Sequence, residues 1–224
     1  MNTGEMSKMA HHIAVSEGMN IGEMCKKAHE IAVSKGWYDT EESKKRTLCE
    51  EIGLMHSEIS EAIECFRDPN HTPQDIWVGE NGKPEGVAVE LADALIRMGD
   101  SIAGRGLELM DPVFDSEIEG LASLHELDNF EELEKILSSL SPVAFLGGIH
   151  AALSDAYNRA CADEFRTTFF GSFSSNYPIG ILFGITMVLI GVFCRHYHLD
   201  LQAAVVMKMS YNANRPYRHG GKRA

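Results

Sequence analysis

The strongest constraint on the fold is a run of apolar residues at helical spacing from Ser43 to Phe66. Leu48, Ile52, Met55, Ile59, Ala62, Ile63 and Phe66 fall on one side of a single long helix. Such a helix must bury its stripe against other elements. Alternating strand patterns are missing along the chain, so the partners are expected to be helices and the fold all-α. Ile21–Lys35 reads as a helix closed by Gly36. Val87–Arg105 reads as another, ending between Gly104 and Gly106, and further helices are expected at Pro142–Arg166, Ile179–Cys194 and Leu201–Tyr211. Asp68–Pro73, Gly79–Gly86 and Phe169–Tyr177 carry turn chemistry and read as loops. Residues 111–141 are acidic and read as helix in pieces, with Asn129 capping Phe130–Ser139; the tail Asn212–Ala224 is basic and has no periodicity.

Two internal repeats refine this picture. Met6–Gly18 matches Met24–Gly36 at nine of 13 positions, at an offset of 18. Residues 1–20 therefore read as a dispensable duplicate of one helix. A longer, diverged repeat aligns Met55–Ala62 with Ile149–Ala156 and Gly86–Asp93 with Gly180–Met187, both at an offset of 94. A shared offset implies one helical unit used twice and packed as a pseudo-dimer. The expected organisation is a duplicated helix at 1–20, a first unit at 21–110, an acidic linker at 111–141 and a second unit at 142–224.

Composition excludes several functions. A chain of 224 residues can bury a core without staples. Thirty-three acidic against 20 basic residues give a net charge of −13, which argues against binding a nucleic-acid duplex. Five widely spaced cysteines without CxxC fit free thiols in a reducing, cytoplasmic setting. The N-terminus lacks a signal-peptide pattern. Ile179–Cys194 is uncharged for 16 residues between Pro178 and Arg195. It falls short of the ~20 residues of a spanning helix, so it reads as a core helix and no membrane is expected. Its Gly180, Gly184 and Gly191 would allow close helix approach. Cys194, His196 and His198 read as packing residues rather than metal ligands.

The chemistry lies in the first unit. Glu58-x-x-Glu61 and Glu90-x-x-Asp93 each place two carboxylates on one helix face. If the two helices are antiparallel neighbours, four carboxylates converge and require cations or protons. Oxygen-only ligands favour Mg²⁺ or Mn²⁺ over zinc. There is no Walker A loop and no GxGxxG, and no nucleophile sits at recognisable spacing from a base.

With these motifs the sequence resembles the MazG-like, all-α nucleoside triphosphate pyrophosphohydrolases. The resemblance spans most of residues 21–109, including His29-Glu30, Lys35-Gly36-Trp37-Tyr38, His56–Ala62 and Glu90–Asp100. It resumes at Lys208-x3-Asn212-x2-Arg215-Pro-Tyr-Arg218-His-Gly-Gly-Lys222, an ending similar to those of small, phage-type members. The resemblance implies that Glu58, Glu61, Glu90 and Asp93 hold Mg²⁺, or Mn²⁺ in its place. The metal would bind the triphosphate and activate water for attack on the α-phosphorus. Glu58 and Glu61 are the catalytic candidates, Glu61 in particular for orienting the water. Lys208, Asn212 and Arg215 would contact phosphates, Asp100 the sugar or a metal, and Arg97 a phosphate or a carboxylate. Trp37 could stack on the base or serve the core. The products would be a nucleoside monophosphate and pyrophosphate.

The second unit departs from the pattern: the four acidic positions become Ala152, Asp155, Gly184 and Met187. Conversely, nothing after Leu109 resembles the basic tail motif of the second unit. One composite site per chain is expected, with acids from the first unit and the tail from the second. This leaves room for a homodimer of pseudo-dimers. Two other readings stand beside it: a catalytically idle nucleotide-binding or regulatory module of the same fold, and a membrane-attached protein using Ile179–Cys194.

Overall fold

The computed structural model of the protein describes residues 19–79, 82–109, 135, 139–164 and 178–221. The duplicated N-terminal helix, most of the acidic stretch 111–141 and the loop 169–177 lie outside the described residues. The described helices are α1 (Ile21–Ser34), α2 (Glu41–Lys44), α3 (Leu48–Arg67), α4 (Val87–Arg105), α5 (Pro142–Glu164), α6 (Ile179–His196), α7 (Leu201–Asn214) and the short α8 (Arg218–Gly221). Between α3 and α4, β1 (Trp77–Val78) and β2 (Pro84–Glu85) form an antiparallel pair in which Trp77 faces Glu85. The fold is all-α apart from this two-residue ribbon, which the sequence reading did not anticipate.

Local chemistry explains the boundaries. The long helix begins at Leu48 and not at Ser43, because the Thr47 side chain accepts from Glu50 N–H while Glu50 caps Thr47 N–H. That capping box starts a new helix and leaves α2 as a separate turn. At the end of α1, Gly36 takes φ +80°, Trp37 N–H donates to Ala32 O and Gly36 N–H to Val33 O. This double bond is the Schellman stop that glycine allows, and it fixes where Trp37 leaves the helix. The last periodic helix, α7, runs to Asn214, three residues beyond the expected end.

α4 is the central element, with α1, α3 and α7 packed on it and α6 touching it more lightly. α3 and α4 are antiparallel neighbours, since Glu51 meets Arg105 while Glu58 meets Arg97. α5 packs on α3 and α6 on α5. Among the described residues the main apolar core runs through both halves of the chain, from Ile52, Met55, Leu91 and Met98 to Leu146, Phe183, Met187 and Phe193. Each such side chain withdrawn from water contributes about 1.5–3 kcal/mol. Cys49 of α3 meets Cys161 of α5, Sγ to Sγ at 2.6 Å, and the five cysteines, all within the described residues, form no disulfide.

α6 is the one described helix long and apolar enough to cross a membrane by length and composition, and 61% of it is buried in the fold. Gly180 at its start lies so close to the backbone of Glu108 that a Cβ there would collide. Of the degenerate acidic positions, Gly184 and Met187 are buried, with Met187 fully inside the core, and Asp155 is exposed.

Candidate metal and anion site

The three-residue spacing on α4 sends Glu90 and Asp93 toward α3, where Glu58 faces them. One carboxylate oxygen from each of Glu58, Glu90 and Asp93 lies within 4.8 Å of the other two. Among the described residues this is the only group of three or more His, Cys, Asp or Glu side chains that could share an ion. Glu61, the fourth expected ligand, stands at the rim with its side chain half exposed. Cys194 is buried and forms no such cluster with His196 and His198.

Three cations face these acids. Arg97 Nε donates to Glu58 Oε1 at 2.8 Å. Lys83, in the turn between β1 and β2, bridges Glu90 Oε1 at 3.2 Å and Glu61 Oε2 at 3.3 Å. Lys208 of α7 pairs with Asp93 Oδ2 at 2.8 Å and lies 3.8 Å from Glu90 Oε2. Lys208 is only 1% exposed, so the second half of the chain delivers a buried ammonium to acids of the first half. It thus sits among the carboxylates, deeper than Asn212 and Arg215.

Burial dominates the electrostatics. It pushes the Glu90 carboxyl up to about 7, helped by Asp93 and opposed by Lys208 and Lys83. It raises Glu58 as well, against the pull of Arg97. Glu90 Oε2 is buried without a hydrogen bond, although its residue is 1% exposed. An orphaned carboxylate oxygen costs desolvation energy, which the Lys208 ammonium 3.8 Å away offsets only in part. The candidate ligands Glu58, Glu90 and Asp93 offer only carboxylate oxygens, a set that suits hard divalent cations such as Mg²⁺ or Mn²⁺.

Beside the acids opens a cavity of about 200 Å³. Asp93, Arg97 and Asp100 of α4, Asn212 and Arg215 at the end of α7, and Trp37 all line it. Six of the ten candidates named from the sequence therefore share one cavity. Trp37 makes an edge contact with His219, ring centroids 5.1 Å apart, and Arg215 lies 5.5 Å above the Tyr211 ring. Asp100 accepts from His29 Nδ1–H at 2.8 Å and from Tyr38 O–H at 2.7 Å. Asn212 Oδ1 is buried without a partner.

Sequence reasoning missed Lys83, Arg46 and Glu51. Glu51 lies seven residues before Glu58, on the same helix face. It accepts from both Arg105 Nε and Nη2 at 2.9 Å, from Arg46 Nε at 3.1 Å and from Ser101 Oγ at 2.7 Å. Arg46 also lines the cavity. Lys83 could have been flagged as a cation within the loop joining two acid-bearing helices. Comparisons of the chain with protein families, with curated proteins and with solved structures find no match.

Proposed function

We propose that this protein is a Mg²⁺-dependent nucleoside triphosphate pyrophosphohydrolase that cleaves between the α and β phosphates. The observation that carries the reading is the convergence of Glu58, Glu90 and Asp93 within 4.8 Å, with a buried orphan oxygen on Glu90, against a cavity lined by the three arginines Arg46, Arg97 and Arg215. Glu58, Glu90 and Asp93 would hold the metal, with Glu61 at the edge. A bound divalent cation supplies charge neutralisation for the triphosphate and a more acidic water. Glu61, being half exposed, can orient the attacking water and accept its proton. Water adds to the α-phosphorus, and the bond to the α–β bridging oxygen breaks. Pyrophosphate then leaves, its charge offset by Arg97 and Arg215.

The unit duplication belongs to the same reading. His56 and His150 align at the 94-residue offset and touch each other across α3 and α5, which supports two MazG-like units, the second degenerate, about a pseudo-twofold axis. The 2.8 Å pairing of Lys208 with Asp93 of the same chain supports one composite site per chain. An idle nucleotide-binding module is the second reading. It is favoured by Lys83 and Lys208, which already neutralise the acids without a metal.

The test is a product assay with Mg²⁺ against the eight common NTPs and dNTPs, reading pyrophosphate apart from orthophosphate. Pyrophosphate release that disappears in both Glu58→Ala and Glu90→Ala supports the enzyme. Nucleotide binding without cleavage supports the idle module.

A further inference from the structure

Lys83 belongs to none of the roles assigned so far, yet its ammonium lies between two of the four carboxylates. It is 3.3 Å from Glu61 Oε2 and 3.2 Å from Glu90 Oε1, the oxygen whose partner on the same carboxylate has no hydrogen bond. The two lysines at this cluster differ in how firmly they are held. Lys208 is 1% exposed and rides on the 14-residue helix α7. The Lys83 side chain is 31% exposed and rides on a turn between two-residue strands.

We propose that Lys83 is a built-in counter-ion of the carboxylate cluster, which the divalent cation must displace from Glu61 and Glu90 and which then faces the incoming phosphate anion. This rests on the metal reading given above. A doubly charged ion held by Glu58, Glu90 and Asp93 would sit beside an ammonium that contacts one of its own ligands, and like charges at that range repel strongly. Lys83 therefore lowers affinity for the metal while nucleotide is absent. Once displaced, its partly exposed side chain can turn its charge toward a polyphosphate without leaving its turn. Lys208 cannot move in this way, being enclosed against Asp93. The arrangement couples metal and substrate: the anion gives the displaced ammonium a new partner, so the two bind together more tightly than either alone.

The test measures Mn²⁺ binding by electron paramagnetic resonance, on the full chain without nucleotide, for the wild type, Lys83→Gln and Lys83→Arg. The expected result is that Lys83→Gln binds Mn²⁺ roughly tenfold more tightly, while Lys83→Arg, which keeps the charge, stays near the wild type. In the pyrophosphate assay Lys83→Gln is expected to raise KM for the triphosphate severalfold. Equal or weaker Mn²⁺ binding by Lys83→Gln, with the wild type binding, overturns the counter-ion role and leaves the metal site standing. No Mn²⁺ binding by any of the three overturns both. Tighter binding in Lys83→Gln, with no nucleotide cleaved by the wild type, supports the counter-ion role and removes the catalytic reading alone.

Discussion

His56 and His150 meet Nδ1 to Nδ1 at 2.8 Å, with ring centroids 5.1 Å apart and planes 7° from parallel. One imidazole must carry its proton on Nδ1 and donate while the other accepts, and burial favours the neutral form of both. Their separation of 94 residues equals the offset of the long repeat. In a two-fold assembly, a residue that touches its own equivalent lies at the axis. α3 and α5 run antiparallel here, with Cys49 facing Cys161 further along.

If the two rings act as one unit, their energies should couple. His56→Ala and His150→Ala should each destabilise the fold by about 1 kcal/mol, and the double variant by clearly less than the sum. A double-mutant cycle in urea measures this directly. Strict additivity would mean that the rings merely sit side by side.

The buried Lys208 gives a prediction about metal removal. Lys208→Met takes away the ammonium beside Asp93 and Glu90, with no substitute of similar reach except the more exposed Lys83. Breaking a buried pair from one side typically costs about 3–5 kcal/mol. The variant should therefore melt well below the wild type in chelator, and millimolar Mn²⁺ or Mg²⁺ should restore much of the loss. A deficit that the metal leaves unchanged would sink the idea that Lys208 and a divalent cation answer the same negative charge.

Whether the tail serves its own chain or a neighbour is testable by mixing. Lys208 and Asp93 are paired within one chain, so Glu58→Ala and Lys208→Ala should fail to restore each other's pyrophosphate release. Recovery on mixing would put the tail in a second copy.

What could be read from the sequence follows from how local each signal is. The α4 boundaries matched residue for residue, because Gly106 in the left-handed region stops the helix by backbone chemistry alone. The α3 start was misplaced by five residues because the apolar rhythm continues across a break that only the Thr47–Glu50 box reveals. The acid pairs on one face were legible from spacing, and three of the four acids converge. Arg46 was not legible as a site residue, since its role depends on which helices become neighbours, whereas Lys83 offered one signal, a cation in the loop that joins the two acid-bearing helices. The path of the chain beyond Arg215 was opaque for the same reason: Arg218 is held by bonds to Gly36 and Thr40 in the loop between α1 and α2, not by any periodicity of its own.

Glu51 makes acid stability readable. Burial disfavours its charge, but the donors from Arg105 and Ser101, with Arg46 beside them, outweigh this and hold the carboxyl below its ordinary range. The unfolded chain, with a value near 4.3, then binds more protons than the folded one between the two values. Stability from Glu51 is full above the unfolded value and is lost as the pH falls through the folded one. Glu51→Gln should cost about 3 kcal/mol at neutral pH and flatten the acid limb of a stability curve. An acid limb unchanged in Glu51→Gln would assign it to other groups.

The last turn of the chain clamps the loop that carries Trp37. Arg218 donates from its backbone N–H to Lys35 O, from Nε to Gly36 O and from Nη2 to Thr40 Oγ1, and Tyr217 O–H donates to Asp39. Arg218 and His219 pay for this with positive φ angles of +46° and +51°, each costing about 1–2 kcal/mol for a residue with a Cβ. The clamp's bonds must offset that strain, so Arg218→Ala should release the segment by about 1–2 kcal/mol locally. Amide exchange over residues 36–40 should then quicken by roughly tenfold. Gly36→Ala should act from the other side, because its φ of +80° is strained for alanine and the Tyr217 ring fills the space a Cβ would need. Since Trp37, Arg215 and His219 line the cavity, both variants should raise KM more than they lower kcat. Unaltered exchange in both would mean that the tail rests on this loop without holding it.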